Sequence, residues 1–394
     1  MKKDGALNKN EPNQKTIKMN LYQNCFINID DTDISSLEEA ARDKSISGKG
    51  PSVERYEMAL QQFFDSPYAI CCSNGTAGIH MIMMLENIRE GDEVLIPPTA
   101  PIMSILPVIA SGATPVFIDT SCNGFHLSLE DLDRKRSPRT KLLINVPMWG
   151  YANNIVEVSE YCSLHGIKVL EDNSHCHGTL LDGRLMGTTG DYAVFSTHER
   201  KLVTTGEGGF LLVKDRNDYE KLLEIRSFGE VAKSGEQFRN IKGAYGYYFG
   251  MNFKLSAINA ALGISQLAKL KHKISKRTDN TKHLVEGIHA LDMNIRELAT
   301  RPGSVSNYYS VVFLASPEMK RKIELRLLGN NIISDPLRYR YCPLYEMPLF
   351  EKYARPCPQA ELLIRSVFTL PVHEGLSEKD MDHFIAIIQS LKHD

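Results

Sequence analysis

The sequence predicts an α/β protein, in which a large domain with a mainly parallel sheet between helices precedes a smaller C-terminal α+β domain. Short apolar runs alternate with helical periods through the first two thirds of the chain, and strands that are separated by helices build a parallel sheet covered on both faces. After about residue 275 this alternation ends. We therefore expect a disordered polar leader over 1–18, a large domain over 19–275 and a small domain over 276–394.

Each strand of the large domain is predicted from a short apolar run bounded by turn residues. The five runs that alternate with helices lie at 68–72, 94–96, 115–119, 142–146 and 168–171. The helices between them are expected from the SNGTAG segment to residue 84, over 102–110 and over 155–165.

The remaining elements follow from the same patterns. Two apolar runs, 192–196 and 210–213, have no long helix between them, so we expect a loop to join them and both to extend the same sheet. A single long amphipathic helix is predicted over 256–277. In the small domain the run NYYSVVFL predicts a strand, and helices are predicted over 318–328 and 378–392.

Composition excludes several classes of protein. Lys plus Arg number 46 and Asp plus Glu number 48, so the chain lacks the basic excess of a protein that binds nucleic acid, or a membrane surface, through its charge. No apolar stretch approaches the roughly 20 residues that span a bilayer, and the polar N-terminus lacks the apolar core of a signal peptide. The eight cysteines include no C-x-x-C pair. We expect a reduced, cytoplasmic protein without nucleic-acid or membrane partners.

The segment SNGTAG, at 73–78, lies between a predicted strand and a predicted helix. Free backbone N–H groups at a helix start, together with a threonine hydroxyl, form a cradle suited to a phosphate. The alternative is an ordinary strand-to-helix turn that uses Gly75 for its backbone freedom.

The segment VLEDNSH, at 169–175, ends the fifth predicted strand. A carboxylate just past a parallel strand lies where α/β sheets bind ligands, so Asp172 could pair with a protonated ring nitrogen and His175 could lie against a flat ring. Alternatively, Asp172 caps a turn and His175 is a satisfied polar residue. His175 and His177 are a poor metal pair because alternate residues of an extended segment point in opposite directions.

Lys201 follows the apolar run 192–196 and precedes a glycine-rich turn. A lysine that forms a Schiff base must enter a pocket and be partly deprotonated, which burial and neighbouring cations promote. His198 and Arg200 are candidate neighbours. The alternative is an exposed loop lysine, the common environment of this residue type.

Taken together, these three segments supply what a pyridoxal phosphate site needs. They give, in chain order, a phosphate cradle, an acidic partner for the pyridine nitrogen, a side chain to stack on the ring and a lysine for the Schiff base. The carboxylate matters because a protonated ring nitrogen lets the cofactor accept electrons when a C–H bond breaks.

With these residues the chain resembles the DegT-type sugar aminotransferases, a branch of the fold-type I pyridoxal phosphate enzymes. The resemblance runs from about residue 30 to the C-terminus and rests on SGKGPSVERYE, SNGTAG, VLEDNSHCHG, GDYAVFSTHERKLVTTGEGG and GMNFKLSAINAALGISQL. It implies that Lys201 forms the Schiff base and moves the proton. The cofactor-binding set that it implies is Gly75, Thr76, Ala77, Asp172, His175, Ser196, Lys201 and Asn252. Asn252 is expected to reach the phosphate of a neighbouring subunit, which implies a homodimer with shared active sites.

Four positions depart from the family pattern. Ile102 stands where the family has an aromatic residue, so the second face of the cofactor ring is expected to be covered differently. Lys254 stands where the family has arginine and Tyr345 where it has histidine, and the latter is expected to contact the substrate. Trp149, the single tryptophan, lies in VPMWGYANN and is either a substrate contact or a packing aromatic.

The resemblance implies an aminotransferase that moves an amino group, from glutamate, to a keto group of a nucleotide-activated deoxysugar in surface-polysaccharide or antibiotic sugar biosynthesis. A transaminase of a keto-cyclitol is the nearest alternative. A pyridoxamine-dependent dehydratase would have histidine at Lys201. A non-catalytic sensor built on this fold, and a hydrolase with a metal at His175 and His177, are alternatives of other classes.

Overall fold

The computed structural model describes residues 22–230, 245 and 248–393. The predicted leader at 1–18 lies outside this part of the chain. The helices that the structure describes are α1 (Asp31–Arg42), α2 (Pro51–Phe64), α3 (Gly75–Leu85), α4 (Ile102–Ala110), α5 (Leu129–Lys135), α6 (Ile155–Leu164), α7 (Arg216–Arg226), α8 (Ala257–Ala268), α9 (Leu270–His289), α10 (Pro317–Gly329), α11 (Asp335–Arg338), α12 (Pro358–Ser366) and α13 (Glu378–Gln389).

The strands form one large and two small sheets. They are β1 (Tyr68–Cys72), β2 (Glu93–Ile96), β3 (Thr114–Phe117), β4 (Thr140–Asn145), β5 (Lys168–Asp172), β6 (Leu180–Leu181), β7 (Arg184–Leu185), β8 (Tyr192–Ser196), β9 (Gly209–Val213), β10 (Arg296–Glu297), β11 (Ser304–Val305), β12 (Val311–Leu314) and β13 (Val367–Leu370). The small sheets have the orders β10-β12-β13 and β11-β6-β7.

The large sheet has the strand order β1-β9-β8-β5-β4-β2-β3. Strands β3, β2, β4, β5 and β8 pair in parallel, whereas β9 runs antiparallel to both of its neighbours, β8 and β1. The prediction of an α/β fold with a mainly parallel sheet is confirmed. The seven predicted strands all form, and β1 and β8 have the predicted bounds.

Helices cover the large sheet, and its strands are therefore almost entirely buried. One apolar cluster joins β1, β8 and β9 to α2, α3 and α8, and its largest side chains include Phe195 and Phe210, whose rings stack 4.7 Å apart. A second cluster lies on the other face, between β4, β5 and α6. The carboxyl ends of β5 and β8 therefore lie side by side, with Asp172 at one and Ser196 at the other.

The predicted helix over 256–277 is wrong in one respect, because the segment forms two helices that meet at Lys269. The Lys269 ammonium binds Asp30 and Asp33 at the start of α1. The predicted domain boundary at 275 falls inside α9, so a division at that residue stays a prediction. The run NYYSVVFL also differs from its prediction, since β12 begins only at Val311.

The described N-terminal residues pack on the C-terminal part of the chain. The Phe26 ring stacks on His373 with centroids 5.0 Å apart, and the Tyr22 ring lies 5.2 Å from that of Phe384. Asn24 donates a hydrogen bond to Thr369, at 3.3 Å. The first described residues thus tie the C-terminal helices and β13 to the start of α1. No helix within the described residues is long and apolar enough to span a membrane.

The contact between α8 and α2 depends on Gly263. A Cβ at this position would lie 2.5 Å from the ring of Tyr56, which is fully buried. Gly263→Ala is therefore expected to destabilise the protein by about 1–3 kcal/mol, the typical cost of overpacking. Thermal denaturation measures the effect. Gly329→Ala is the matched control, because no atom lies within 4 Å of its new Cβ at the end of α10; an equal loss in both variants would contradict this packing.

Candidate active site

Lys201 lies in a tight loop between β8 and β9. Thr197 donates its backbone N–H to the Gly208 carbonyl, and Thr205 donates its N–H to the Thr197 carbonyl, each at 2.8 Å. The Lys201 N–H donates to the His198 carbonyl at 2.9 Å. These bonds continue the β8–β9 pairing past the strand ends, so Lys201 is carried on a closed loop.

The Lys201 ammonium is surrounded by protein. Burial lowers its pKa to about 8, with a further lowering by Arg200, while Asp172 and Asp335 act in the opposite direction. Its nitrogen lies 5.3 Å from the centroid of the Tyr309 ring. A substantial fraction of this amine is therefore neutral near pH 8, as a nucleophilic lysine requires.

Asp172 ends β5 and is buried. Its Oδ2 accepts a hydrogen bond from the Ser104 hydroxyl of α4 at 2.5 Å, and its Oδ1 accepts one from the Ser174 hydroxyl at 2.6 Å. The Ser174 hydroxyl also accepts the Ser196 N–H, at 3.2 Å. Neutral hydroxyls thus hold the carboxylate in place without neutralising its charge.

The His175 ring stacks on Tyr309, with centroids 4.3 Å apart and planes 15° apart. Its Nδ1 accepts the Trp149 backbone N–H at 3.3 Å. Burial lowers the pKa of His175 well below its usual range, and Lys201 lowers it further, so the ring is neutral. Asn307 holds this segment by donating to the carbonyls of His175 and His177, both at 2.9 Å.

The SNGTAG segment starts α3 as the sequence predicts. Asn74 caps the helix by accepting the Ala77 N–H at 2.7 Å. The expected phosphate ligand Ala77 N–H therefore already has an acceptor. Within the described residues the N–H groups of Gly75 and Thr76 have none.

Gly75 brings this helix start against the end of β8. A Cβ on Gly75 would lie 3.1 Å from the Ser196 Cβ, and one on Gly209 would lie 2.8 Å from the Gly75 nitrogen. Ser196 accepts the His198 N–H at 3.3 Å through its hydroxyl. The structure thus brings Gly75, Thr76 and Ser196 together.

Asn252 is exposed and forms an isolated β-bridge with Ser227. The next residue, Phe253, accepts the Ser73 N–H at 2.7 Å through its carbonyl. Among the described residues no contact joins the Asn252 side chain to Lys201, and its role toward a second subunit stays a prediction. The Lys254 nitrogen, which has no hydrogen-bond partner among the described residues, lies 4.1 Å from the centroid of the Phe228 ring.

The other departures from the family pattern fall in different places. Trp149 adjoins the site, and its Nε1 donates to Asp335 at 3.1 Å. Tyr345 is engaged elsewhere, because its hydroxyl donates to Glu361 at 2.8 Å and its ring packs on Phe117. Ile102 starts α4, the helix that carries Ser104 to Asp172.

Four residues that the sequence analysis did not select help to build the site: Ser104, Asn307, Tyr309 and Asp335. Asp335 is buried, and this burial raises the pKa of its carboxyl group. The polar start of the run NYYSVVFL was the one available signal for Asn307 and Tyr309, since a strand core seldom begins with asparagine.

These residues fit pyridoxal phosphate. The two N–H groups without an acceptor lie at a helix start, where an anion binds well. Gly75 and Gly209 let that helix start pack closely against the end of β8, because a Cβ at either position would lie too near the facing protein atoms. A buried carboxylate and a partly neutral lysine lie at the ends of the adjacent strands. Within the described residues no cluster of three or more His, Cys, Asp or Glu side chains could hold a metal ion.

Comparison with known proteins identifies the family. The model of the DegT/DnrJ/EryC1/StrS aminotransferase family matches residues 28–389. The chain belongs to this family. The resemblance seen in the sequence motifs is thereby confirmed, and the chain is a pyridoxal phosphate-dependent aminotransferase.

The chain is also similar to a relative of comparable length and to solved structures. GDP-perosamine synthase of Vibrio cholerae is 28% identical over 312 residues, which are 78% of this chain and 82% of that protein. Two solved structures share the fold. PseC of Helicobacter pylori, an aminotransferase involved in the biosynthesis of pseudoaminic acid, is 23% identical with a TM-score of 0.85, over 94% of this chain and 98% of that one. Spr1654 of Streptococcus pneumoniae, in its PLP form, is 21% identical with a TM-score of 0.84, with the same coverage.

The lowered pKa of Lys201 gives a testable titration. In the cofactor-free protein we expect reductive methylation of Lys201 to rise with pH around a midpoint of about 8, because the neutral amine is the reactive form. Peptide mass spectrometry measures the extent of labelling at each pH.

The variant Asp172→Asn gives a second test of the Lys201 pKa. Asp172 opposes the lowering of the Lys201 pKa, so removal of its charge is expected to move the midpoint further down. A midpoint near 10.5 in the unaltered protein, or an upward shift in the variant, would contradict the described electrostatics.

Proposed function

We propose that the protein transfers an amino group from glutamate to a keto carbon of a nucleotide-activated deoxysugar, in the biosynthesis of a surface polysaccharide or an antibiotic sugar. The observation that carries the proposal is the buried, partly neutral Lys201 on which the buried Asp172 carboxylate acts, in a chain that also has a helix start with two N–H groups lacking an acceptor among the described residues. The relative from Vibrio cholerae, a GDP-perosamine synthase, supports the substrate class.

The cofactor-binding residues follow from this arrangement. Gly75 and Thr76 would bind the phosphate through their N–H groups, with the Ser196 hydroxyl beside them and the Asn74 cap fixing the helix start. Asp172 would face the pyridine nitrogen, and His175 would lie beside the ring. Pyridoxal phosphate supplies an electron sink for the carbanion that forms when a C–H bond at the substrate breaks.

Lys201 has two tasks in this proposal. Its amine would hold the cofactor at rest, and once displaced by an amino donor its Nζ would accept the proton from the α-carbon of the donor. In the second half-reaction the same Nζ would return a proton to the acceptor carbon. The pKa of about 8 in the cofactor-free protein suits a group that both accepts and donates a proton. Tyr309, 5.3 Å from the nitrogen, limits its motion and excludes water on one side.

Two arginines near Asp335 suit a carboxylate of glutamate. Arg200 Nε, Arg338 Nε and Arg338 Nη2 are buried and have no acceptor among the described residues. Both arginines act on the Asp335 carboxyl group, which also acts on Lys201. Guanidinium groups without a partner are costly inside a protein, and a carboxylate is the acceptor that their geometry fits. We therefore assign the donor carboxylate to Arg200 and Arg338.

The acceptor and the assembly complete the proposal. Trp149 and Asp335 form a hydrogen-bonded pair beside His175, and we assign them to the acceptor side of the site. We further propose a cytoplasmic homodimer, in which Asn252 of each chain reaches the cofactor phosphate of the other. The exposure of Asn252 supports this role.

The direct test is transfer of ¹⁵N from labelled glutamate to a panel of GDP-, UDP- and dTDP-linked ketosugars, followed by mass spectrometry. We expect an amino sugar from at least one nucleotide-linked acceptor, and no product from Lys201→Ala in a sample that remains folded. Amination of a keto-cyclitol alone would overturn the assigned substrate class. Full activity of Lys201→Ala would overturn the assigned lysine.

The donor assignment gives a separate prediction. Arg338→Leu is expected to raise the KM for glutamate by about 10–100-fold, which corresponds to one hydrogen bond to a charged group of about 1.5–3 kcal/mol. The KM for the acceptor should stay unchanged. Steady-state kinetics with each substrate varied in turn measures both constants. A rise only in the acceptor KM would move Arg338 to the nucleotide diphosphate.

A further inference from the structure

A second buried lysine lies directly behind the Lys201 loop. Lys273 of α9 is 3% exposed. Its nitrogen donates a hydrogen bond to the carbonyl oxygen of Leu202, at 2.7 Å, and another to Gln266 Oε1, at 2.6 Å. Leu202 is the residue after Lys201 and is itself buried.

The charge of Lys273 is not balanced by an ion pair. The acidic groups nearest to it are bound by other cations, Asp33 by Lys269 and Glu374 by Arg277. Within the described residues its hydrogen bonds go to two neutral oxygens. Burial lowers the pKa of Lys273 to about 8, with Arg277 and Lys269 lowering it further and Glu374 and Asp33 raising it. Such a buried cation costs stability, so its position against the loop calls for a functional reason.

The two bonds of Lys273 continue into a chain of buried polar contacts. Gln266 donates to the Asn28 carbonyl at 2.9 Å and to Asp33 Oδ1 at 3.0 Å. Asp33 completes the capping box at the start of α1 by accepting the backbone N–H of the N-cap residue Asp30, at 2.9 Å. The loop that carries the active-site lysine is thereby tied through Lys273 and Gln266 to the first helix of the protein.

We propose that Lys273 is a positioning residue, which fixes the Leu202 carbonyl and through it the backbone that aims Lys201 at the cofactor. An error of about 1 Å in the position of a reacting group can cost about 100-fold in rate. Helix α9 can hold the Leu202 carbonyl in place because it packs behind the loop and its Lys273 side chain is buried in the protein. The inference rests on the proposed function for the role of Lys201.

The test compares Lys273→Met with Lys269→Met. Both variants remove a lysine from the same polar chain, but Lys269 binds Asp30 and Asp33 and does not contact the Lys201 loop. We expect Lys273→Met to lower kcat by about 10-fold or more, and to shift the pH titration of the visible absorption band of the bound cofactor. Lys269→Met should lower thermal stability and leave both quantities unchanged.

A readout that needs no turnover accompanies these measurements. Trp149 is the single tryptophan and contacts His175, so quenching of its fluorescence measures cofactor binding in each variant. We expect binding to weaken in Lys273→Met and to recover in part in Lys273→Arg, which keeps the charge and the donors. If Lys273→Met does not fold, Lys273→Leu, a shorter apolar side chain that also lacks a donor, replaces it in the same comparison.

The outcomes separate this inference from the proposed function. Unchanged kcat, titration and cofactor affinity in a folded Lys273→Met or Lys273→Leu would overturn the positioning role while leaving Lys201 chemistry intact. Absence of cofactor binding in the unaltered protein would instead overturn the proposed function.

Discussion

An amine that reacts must be neutral and still held in place, and the Lys201 loop meets both conditions. Burial lowers the pKa of Lys201 to about 8 although Asp172 and Asp335 act to raise it, while backbone bonds across the loop fix the position of the residue. The neighbouring strands position this loop. Strands β8 and β9 flank it in the chain, and β5, which pairs with β8, ends at Asp172. The neutral hydroxyls around Asp172 leave its negative charge available to the site.

Most of the fold could be predicted because apolar runs of four to six residues mark buried strands with little ambiguity. The break between α8 and α9 could not be predicted, since Lys269 is a good helix former. Its contacts with Asp30 and Asp33 connect residues more than 230 positions apart. Tertiary contacts of this kind leave no local signal in the sequence.

The residues of the candidate site likewise fall into those that the sequence could predict and those that it could not. Gly75, Thr76, Asp172 and Ser196 lie at a strand end or a helix start, and Lys201 lies in the loop that follows β8, so local pattern and function coincide. Ser104 and Asp335 could not be selected, because each acquires its role through a single contact over a long chain distance, 68 residues to Asp172 and 186 residues to Trp149. Lys273 could not be selected either, because a lysine in an amphipathic helix is normally assigned to the solvent-exposed face.

The central claim is that Lys201 binds pyridoxal phosphate and exchanges it with an amino donor. The visible absorption spectrum of the purified protein, supplied with the cofactor and then with glutamate, tests this claim most directly. The account predicts a yellow protein whose visible band bleaches as the pyridoxamine form accumulates. A colourless protein that the cofactor cannot reconstitute would contradict it.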